Sequence, residues 1–161
     1  MEVRRSRIDD VNDIMDIYDR AREFMRENGN PNQWGTGYPT RELVKQDIVR
    51  GNSYVCVHKK ELVGTFYFAN EKDSTYSEIY DGKWLNDREY GVVHRIATSG
   101  TVKGVASFCF DWCFTQCDNL KIDTHKDNIV MQKVLAKNGF SYCGKIYLAN
   151  GSERIAYQKT K

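Results

Sequence analysis

The chain has 161 residues, 24 basic and 22 acidic, for a formal net charge of +2. That length suits one domain with a real core, and the interleaved charges offer no reason to expect nucleic acid or an anionic membrane as main partner. No apolar run approaches the roughly 20 residues that span a bilayer, the opening MEVRRSRIDD lacks a signal peptide's apolar core, and the five cysteines show no paired zinc spacing, so a cytoplasmic setting is expected.

EVRRSR reads as a short opening strand. In DDVNDIMDIYDRAREFMRENG, Val11, Ile14, Met15, Tyr18, Ala21 and Met25 recur at helical spacing, with Asp9 or Asp10 to cap the start and Gly29 to close it. NPNQWGTGYPT is a loop carrying Gln33, Trp34 and Tyr38. TRELVKQDIVRG is a second helix opened at Thr40, and SYVCVH and ELVGTFYFA form a hairpin turning at Lys59-Lys60. Residues 70–89 carry no clear period. YGVVHRIAT is a strand, about 104–117 a helix, LKIDTH a strand, and NIVMQKVLAKNGF a helix closed at Asn138-Gly139. SYCGKIYLA and SERIAYQK are strands joined at Asn150-Gly151, a strong hairpin pair. The strand–helix–strand crossover in the second half requires some parallel pairing, and the hairpins make the whole a mixed α/β sheet. Cys109, Cys113 and Cys117 share one helix face and read as packed thiols; no metal site is expected.

The stretch SGTVKGVAS, between strand and helix, places Gly100 in the turn and Gly104 at the helix start, with Lys103 beside it. A helix start presents unpaired N–H groups and partial positive charge, and glycine lets a phosphate reach them. The spacing fits neither a Walker loop nor a dinucleotide fingerprint, and many such turns bind nothing.

TVKGVA resembles the acyl-CoA pyrophosphate loop, Gln/Arg-x-x-Gly-x-Gly/Ala, of the GNAT (Gcn5-related) N-acetyltransferases. DNIVMQKVLAKNGF is similar to that family's next signature, an Asn opening a helix that ends in Gly-Phe. VHRIATS, IDTH and the closing YCGKIYLANGSERIAYQK fall in the family's order, covering about residues 90–158. The resemblance implies one GNAT domain over 1–161: a mixed, mostly antiparallel sheet of 6–7 strands with helices on both faces. It implies an acetyl-CoA-dependent N-acetyltransferase acting by direct attack on a primary amine of a small molecule or peptide, with an acyl-CoA-binding module without turnover as the alternative. A homodimer is compatible with it.

The implied cofactor site uses the backbone N–H groups of Thr101, Val102, Lys103, Gly104, Val105 and Ala106 for the pyrophosphate. Asn128 and the strand end Ile96, Ala97 and Thr98 would hold the pantetheine arm, a backbone N–H near Ile96 or Ala97 polarising the thioester carbonyl. Thr101 replaces the motif's Gln or Arg, removing a cation. The family's general-acid tyrosine, seven residues after the Asn, is here Leu135; Tyr142, Cys143 and Tyr147 are the nearby substitutes by sequence. His94, Glu89 and Glu78 are the candidate bases, with His94 and Glu78 taken as the catalytic pair of choices. His94 alternates with Val92 and Ile96, which puts the three on one side of a regular strand. His125 reads as structural or cofactor-edge, and Asp123 as a strand-end hydrogen-bonding residue. Trp34, Tyr38 and Tyr80, with Gln33, Tyr76 and Trp84, form an aromatic set that suits an amine with an apolar body, or simply packs a lid.

Overall fold

The computed structural model describes residues 1–161. Strands β1 (Glu2–Arg5), β2 (Ser53–His58), β3 (Glu61–Asn70), β4 (Gly91–Thr98), β5 (Asn119–Thr124), β6 (Ser141–Tyr147) and β7 (Glu153–Thr160) form one sheet in the order β1-β2-β3-β4-β5-β7-β6. Only β4 and β5 run parallel; every other neighbouring pair is antiparallel. Helices α1 (Val11–Glu27), α2 (Arg41–Val49), α3 (Val105–Gln116) and α4 (Ile129–Lys137) complete the order expected from sequence.

The helices divide between the two faces because the strands alternate. Val55 packs with Ile14, Ile17 and Tyr18 of α1 and Val44 of α2, while its neighbour Cys56 packs with Val105, Cys109 and Phe110 of α3. Cys109 and Cys113 are fully buried on the face α3 turns to the sheet. Leu135, at the family's acid position, is a fully buried member of the same cluster. Thr40 caps α2 by accepting from Leu43 N–H, and Lys59 and Lys60 both take positive φ, as a two-residue hairpin turn requires. Gly64 lets α3 start close against β3: a Cβ there would lie 2.7 Å from Val105 Cγ1.

Residues 71–90 cover the α1/α2 face over the second half of the sheet. Their only regular element is a single 3-10 turn, Ser74–Tyr76, which explains why no period is visible there. Tyr76 is the anchor, buried with Val92, Ile146 and Ala156, and Trp84 stacks edge-on against it while its Nε1–H donates to Tyr76 O at 3.0 Å. Tyr80 pairs with Lys145 of β6, which carries residues 78–80 to the outer edge of the sheet.

One departure in β4 shapes the site. Thr65 pairs with Ala97 and Tyr67 with His94, so β4 carries one residue more than β3 across this interval. The extra residue is accommodated at Arg95, which adopts φ +53°. The bulge shifts the alternation: Ile96 joins Val93 in the α3-side core, and His94 stays with Val92 on the opposite face. The expectation that His94 and Ile96 share a face is therefore corrected.

Candidate active site

The register of β4 and β5 covers only Gly91 with Leu120 and Val92 with Lys121. Beyond these two pairs the strands separate. A cavity of about 440 Å³ opens in the gap, with Val93 and Ile96 on one wall and Ile122 and Thr124 on the other. From Val93 onward the β5-facing edge of β4 has no strand partner, so its main-chain groups border the gap.

His94 projects into this cavity from the strand just before the bulge. Its Nε2 lies 2.8 Å from Oδ2 of Asp73, and both side chains are about four-fifths buried. Asp73 is itself fixed by Thr75, whose backbone N–H and hydroxyl donate to Oδ1 at 2.9 and 2.7 Å. Burial works against ionisation of Asp73, but the hydrogen bonds from His94 and Thr75 outweigh it and hold the carboxyl down at about 2. An ionised Asp73 only accepts, so Nε2 carries the ring proton and Nδ1 is left as the ring's basic nitrogen.

A second acid lies on the opposite wall. Asp123 lines the cavity and accepts from Tyr76 OH at 2.7 Å, and burial pushes its carboxyl upward. This agrees with its expected hydrogen-bonding role. Arg95 lines the cavity too, its Nη2 2.5 Å from Asp47 Oδ2 and its guanidinium 5.0 Å from the centre of the Tyr67 ring. Its carbonyl accepts from Tyr18 OH at 2.9 Å, so α1 and α2 both hold the bulge.

The loop between α1 and α2 closes the cavity. Trp34 and Tyr38 line it, Trp34 edge-on to both Tyr18 and Tyr38. Gln33 fastens the loop: its Oε1 accepts from Asn30 and Asn128 at 2.8 Å and from Thr124 at 3.4 Å, and its carbonyl accepts from Arg154 Nη2 at 2.8 Å. Asn128 caps α4, its Oδ1 accepting from Met131 N–H at 3.0 Å while its amide holds Gln33. Asn128 Nδ2 has a second N–H, so a ligand can be received there beside Gln33 Oε1 or in its place.

The glycine turn lies at the end of β4. Gly100 and Gly104 take φ +78° and +80°, and Ser99 and Thr101 share a hydrogen bond of 2.7 Å between their hydroxyls. Val102 and Val105 pack into the core, whereas a Cβ on Gly104 would meet nothing within 4 Å. The backbone at Gly104 thus has open space beside it at the start of α3, where a helix's unpaired N–H groups suit an anionic linker. Lys103 is exposed beside them. His125 accepts from Asp127 N–H at 3.0 Å and shapes the turn into α4, outside the cavity lining.

Of the expected residues, Trp34, Tyr38, His94, Ile96 and Asn128 come together in the cavity. Glu78 and Tyr80 do not: they are hydrogen-bonded to each other at 2.7 Å and exposed, with Tyr80 stacked on Tyr147 at the outer edge of the sheet. The pairing of Tyr80 with Lys145 puts them there. Glu89 is exposed as well, Tyr76 and Trp84 pack against each other outside the cavity, and Tyr142, Cys143 and Tyr147 do not reach it. Asp73, Arg95 and Arg154 are the charged lining residues that sequence reasoning missed. Asp73 opens D-S-T, a local turn signal, and Arg154 is a charge inside a strand that is otherwise largely buried. Nothing in the alternation of β4 betrays the bulge at Arg95.

A GNAT-family acetyltransferase from Streptococcus agalactiae has the same fold, with a TM-score of 0.92 and 31% identity over 99% of this chain and 95% of that one. The chain belongs to the GNAT acetyltransferase family. GNAT-family acetyltransferases from Listeria monocytogenes and Bacillus cereus share the fold at 17% and 21% identity, with TM-scores of 0.71 and 0.66. They cover 98% and 99% of this chain, which spans 93% and 96% of theirs. No protein-family model matches the chain, and no curated protein does. In this GNAT protein the split between β4 and β5, the bulge and the glycine turn occupy successive positions along one strand and the loop that follows it. None of its helices is long and apolar enough to cross a membrane.

Proposed function

We propose that the protein transfers the acetyl group of acetyl-CoA to a primary amine of a small molecule or peptide by direct attack. The observation that carries this reading is the gap between β4 and β5, which opens a cavity holding His94 and Asp73 on the strand that runs on into the glycine turn before α3. Bound there, acetyl-CoA supplies an activated acetyl thioester.

The chain's own groups then have separate tasks. The N–H groups of Thr101 to Ala106 receive the pyrophosphate, with Lys103 as the nearby cation. The unpaired edge of β4 from Ile96 to Thr98 holds the pantetheine arm as a neighbouring strand would. A backbone N–H at Ile96 or Ala97 donates to the thioester oxygen, Ile96 being left without a β3 partner by the bulge. Trp34 and Tyr38 cover the acceptor's apolar body and shut out water. His94 takes the amine's proton at Nδ1, directly or through water, and Asp73 fixes the ring in the tautomer this requires. No cysteine lines the cavity, and the hydroxyls of Thr75 and Thr124 donate to Asp73 and Gln33. Direct attack therefore needs no nucleophile that the cavity lacks.

Thiol release from acetyl-CoA in the presence of polyamines, amino acids, aminoglycosides and N-terminal peptides tests the reading. Turnover with one of these classes is expected. Acetyl-CoA binding with no turnover across all of them would leave an acyl-CoA-binding module instead.

A further inference from the structure

We infer that the acceptor amine also carries a carboxylate, and that Arg154 receives it; this rests on the acetyl-transfer reading above. Arg154 lines the same cavity as His94, Asp73 and Trp34, and only 7% of it is exposed. Its Nη1 donates to Glu153 O and its Nη2 to Gln33 O, each at 2.8 Å. A guanidinium has five N–H donors, so three are left over.

What sets Arg154 apart is the want of a direct ion-pair partner. The other ionisable groups around the cavity have direct partners. Arg95 pairs with Asp47 at 2.5 Å and His94 with Asp73 at 2.8 Å. Glu153, next to Arg154 in the chain, turns away to Lys145 at 3.1 Å. Asp123 acts on the Arg154 charge through space but forms no ion pair with it; its carboxyl is engaged by Tyr76 OH and pushed upward by burial. His125 is pushed toward neutrality by burial and then by the Arg154 charge itself. No carboxylate forms an ion pair with Arg154, and burial weakens its hold on its proton.

Tying the loop to β7 does not require a cation, because a neutral amide would donate equally well to two carbonyls. A buried charge without a partner is costly, and a ligand that supplies the partner recovers that cost on binding. A guanidinium with no ion-pair partner is met by a single negative charge. A carboxylate meets that with two parallel hydrogen bonds, whereas a phosphate dianion would leave a second charge facing ionised Asp73. Arg154 is thus a specificity-determining residue, placed across the cavity from the base.

The test compares α-amino acids with their carboxamides as acceptors of the full-length protein, following thiol release from acetyl-CoA. Rates are referred to the free-base amine, since the two members differ in basicity. In the pair turned over best, kcat/KM is expected to be at least about tenfold higher for the carboxylate, chiefly through KM. Arg154→Gln should lower kcat/KM for the carboxylate by about 10 to 100-fold, leave the carboxamide within about threefold, and so erase the preference. Arg154→Lys should keep part of it. If Arg154→Gln does not fold, as a thermal melt would show, the wild-type preference and Arg154→Lys decide. No wild-type preference, or a preference that survives Arg154→Gln, overturns the inference. So does a protein that binds acetyl-CoA yet acetylates only amines without an anionic group, or none; the binding shows that the cofactor reading itself still stands. Failure to bind acetyl-CoA sinks that reading and this one together.

Discussion

Replacing either member of the His94–Asp73 pair should slow acetyl transfer in a way that depends on pH and on the other member. His94→Gln removes the basic nitrogen but keeps a side chain that can bond Asp73. General bases contribute about 10² to 10⁴-fold, so a loss of at least about 100-fold in kcat/KM at pH 7 is expected. Above the acceptor's own pKa the amine no longer needs a base, and the ratio should shrink to a few-fold. Asp73→Asn leaves the imidazole in place, but the amide can donate to Nε2 and move the ring proton to Nδ1. That should cost about 10 to 100-fold. Because both changes disable one proton acceptor, the double variant should be little slower than His94→Gln alone. Steady-state rates of the four proteins from pH 6 to 10 measure all of this. Multiplied losses in the double variant, or a His94→Gln ratio constant with pH, would refute the assignment of His94 as base.

The same carboxylate has a signature in stability. Its folded pKa, about 2, lies below the ordinary 3.8, so the stabilisation is complete above about pH 5 and lost as pH falls toward 2. The full shift corresponds to about 2 kcal/mol, and partial exposure of the pair reduces this to about 1 kcal/mol. Asp73→Asn should therefore lower Tm by about 2–4 °C at pH 7 and flatten the decline between pH 5 and 2. Gly104→Ala meets no neighbour but strains a backbone at φ +80°; it should cost about 1–2 kcal/mol and weaken acetyl-CoA by calorimetry at least tenfold. Gly64→Val, forced against Val105, should move the start of α3 and weaken acetyl-CoA although it touches no ligand; unaltered affinity would show that this contact does not position the turn. Gln33→Ala strips an acceptor from Asn30, Thr124 and Asn128 and should destabilise by about 1–3 kcal/mol, read by chemical denaturation.

Much of the frame was legible because it is local. The α2 cap at Thr40, the Lys59-Lys60 and Asn150-Gly151 turns and the glycine turn before α3 each announce themselves within a few residues, whereas Asp10, expected to cap α1, accepts instead from Arg4 and the Arg7 N–H. The site was legible only where the family's motifs run through it, at Ile96 and Asn128, and where loop aromatics happen to point inward, at Trp34 and Tyr38. His94 was found by its chemistry, although its neighbour's orientation was misjudged: one inserted residue at Arg95 reverses the alternation after it, and a bulge in a β-branched run leaves no trace in composition. Asp73 lies in a stretch with no period, where only tertiary contact shows that it reaches 21 positions along to His94. Glu78 looked equally suitable in sequence, and a single bridge to β6 carries its neighbour, and it, to the wrong end of the sheet.

The central claim, that the acyl-CoA linker rests on the backbone before α3 and its arm runs along the free edge of β4, is tested most directly by amide chemical shifts. With acetyl-CoA added to isotopically labelled protein, the largest changes are expected at Val102 to Ser107 and at Ile96 to Thr98. Saturation with those amides unmoved, or with shifts gathered on another face of the sheet, would contradict it.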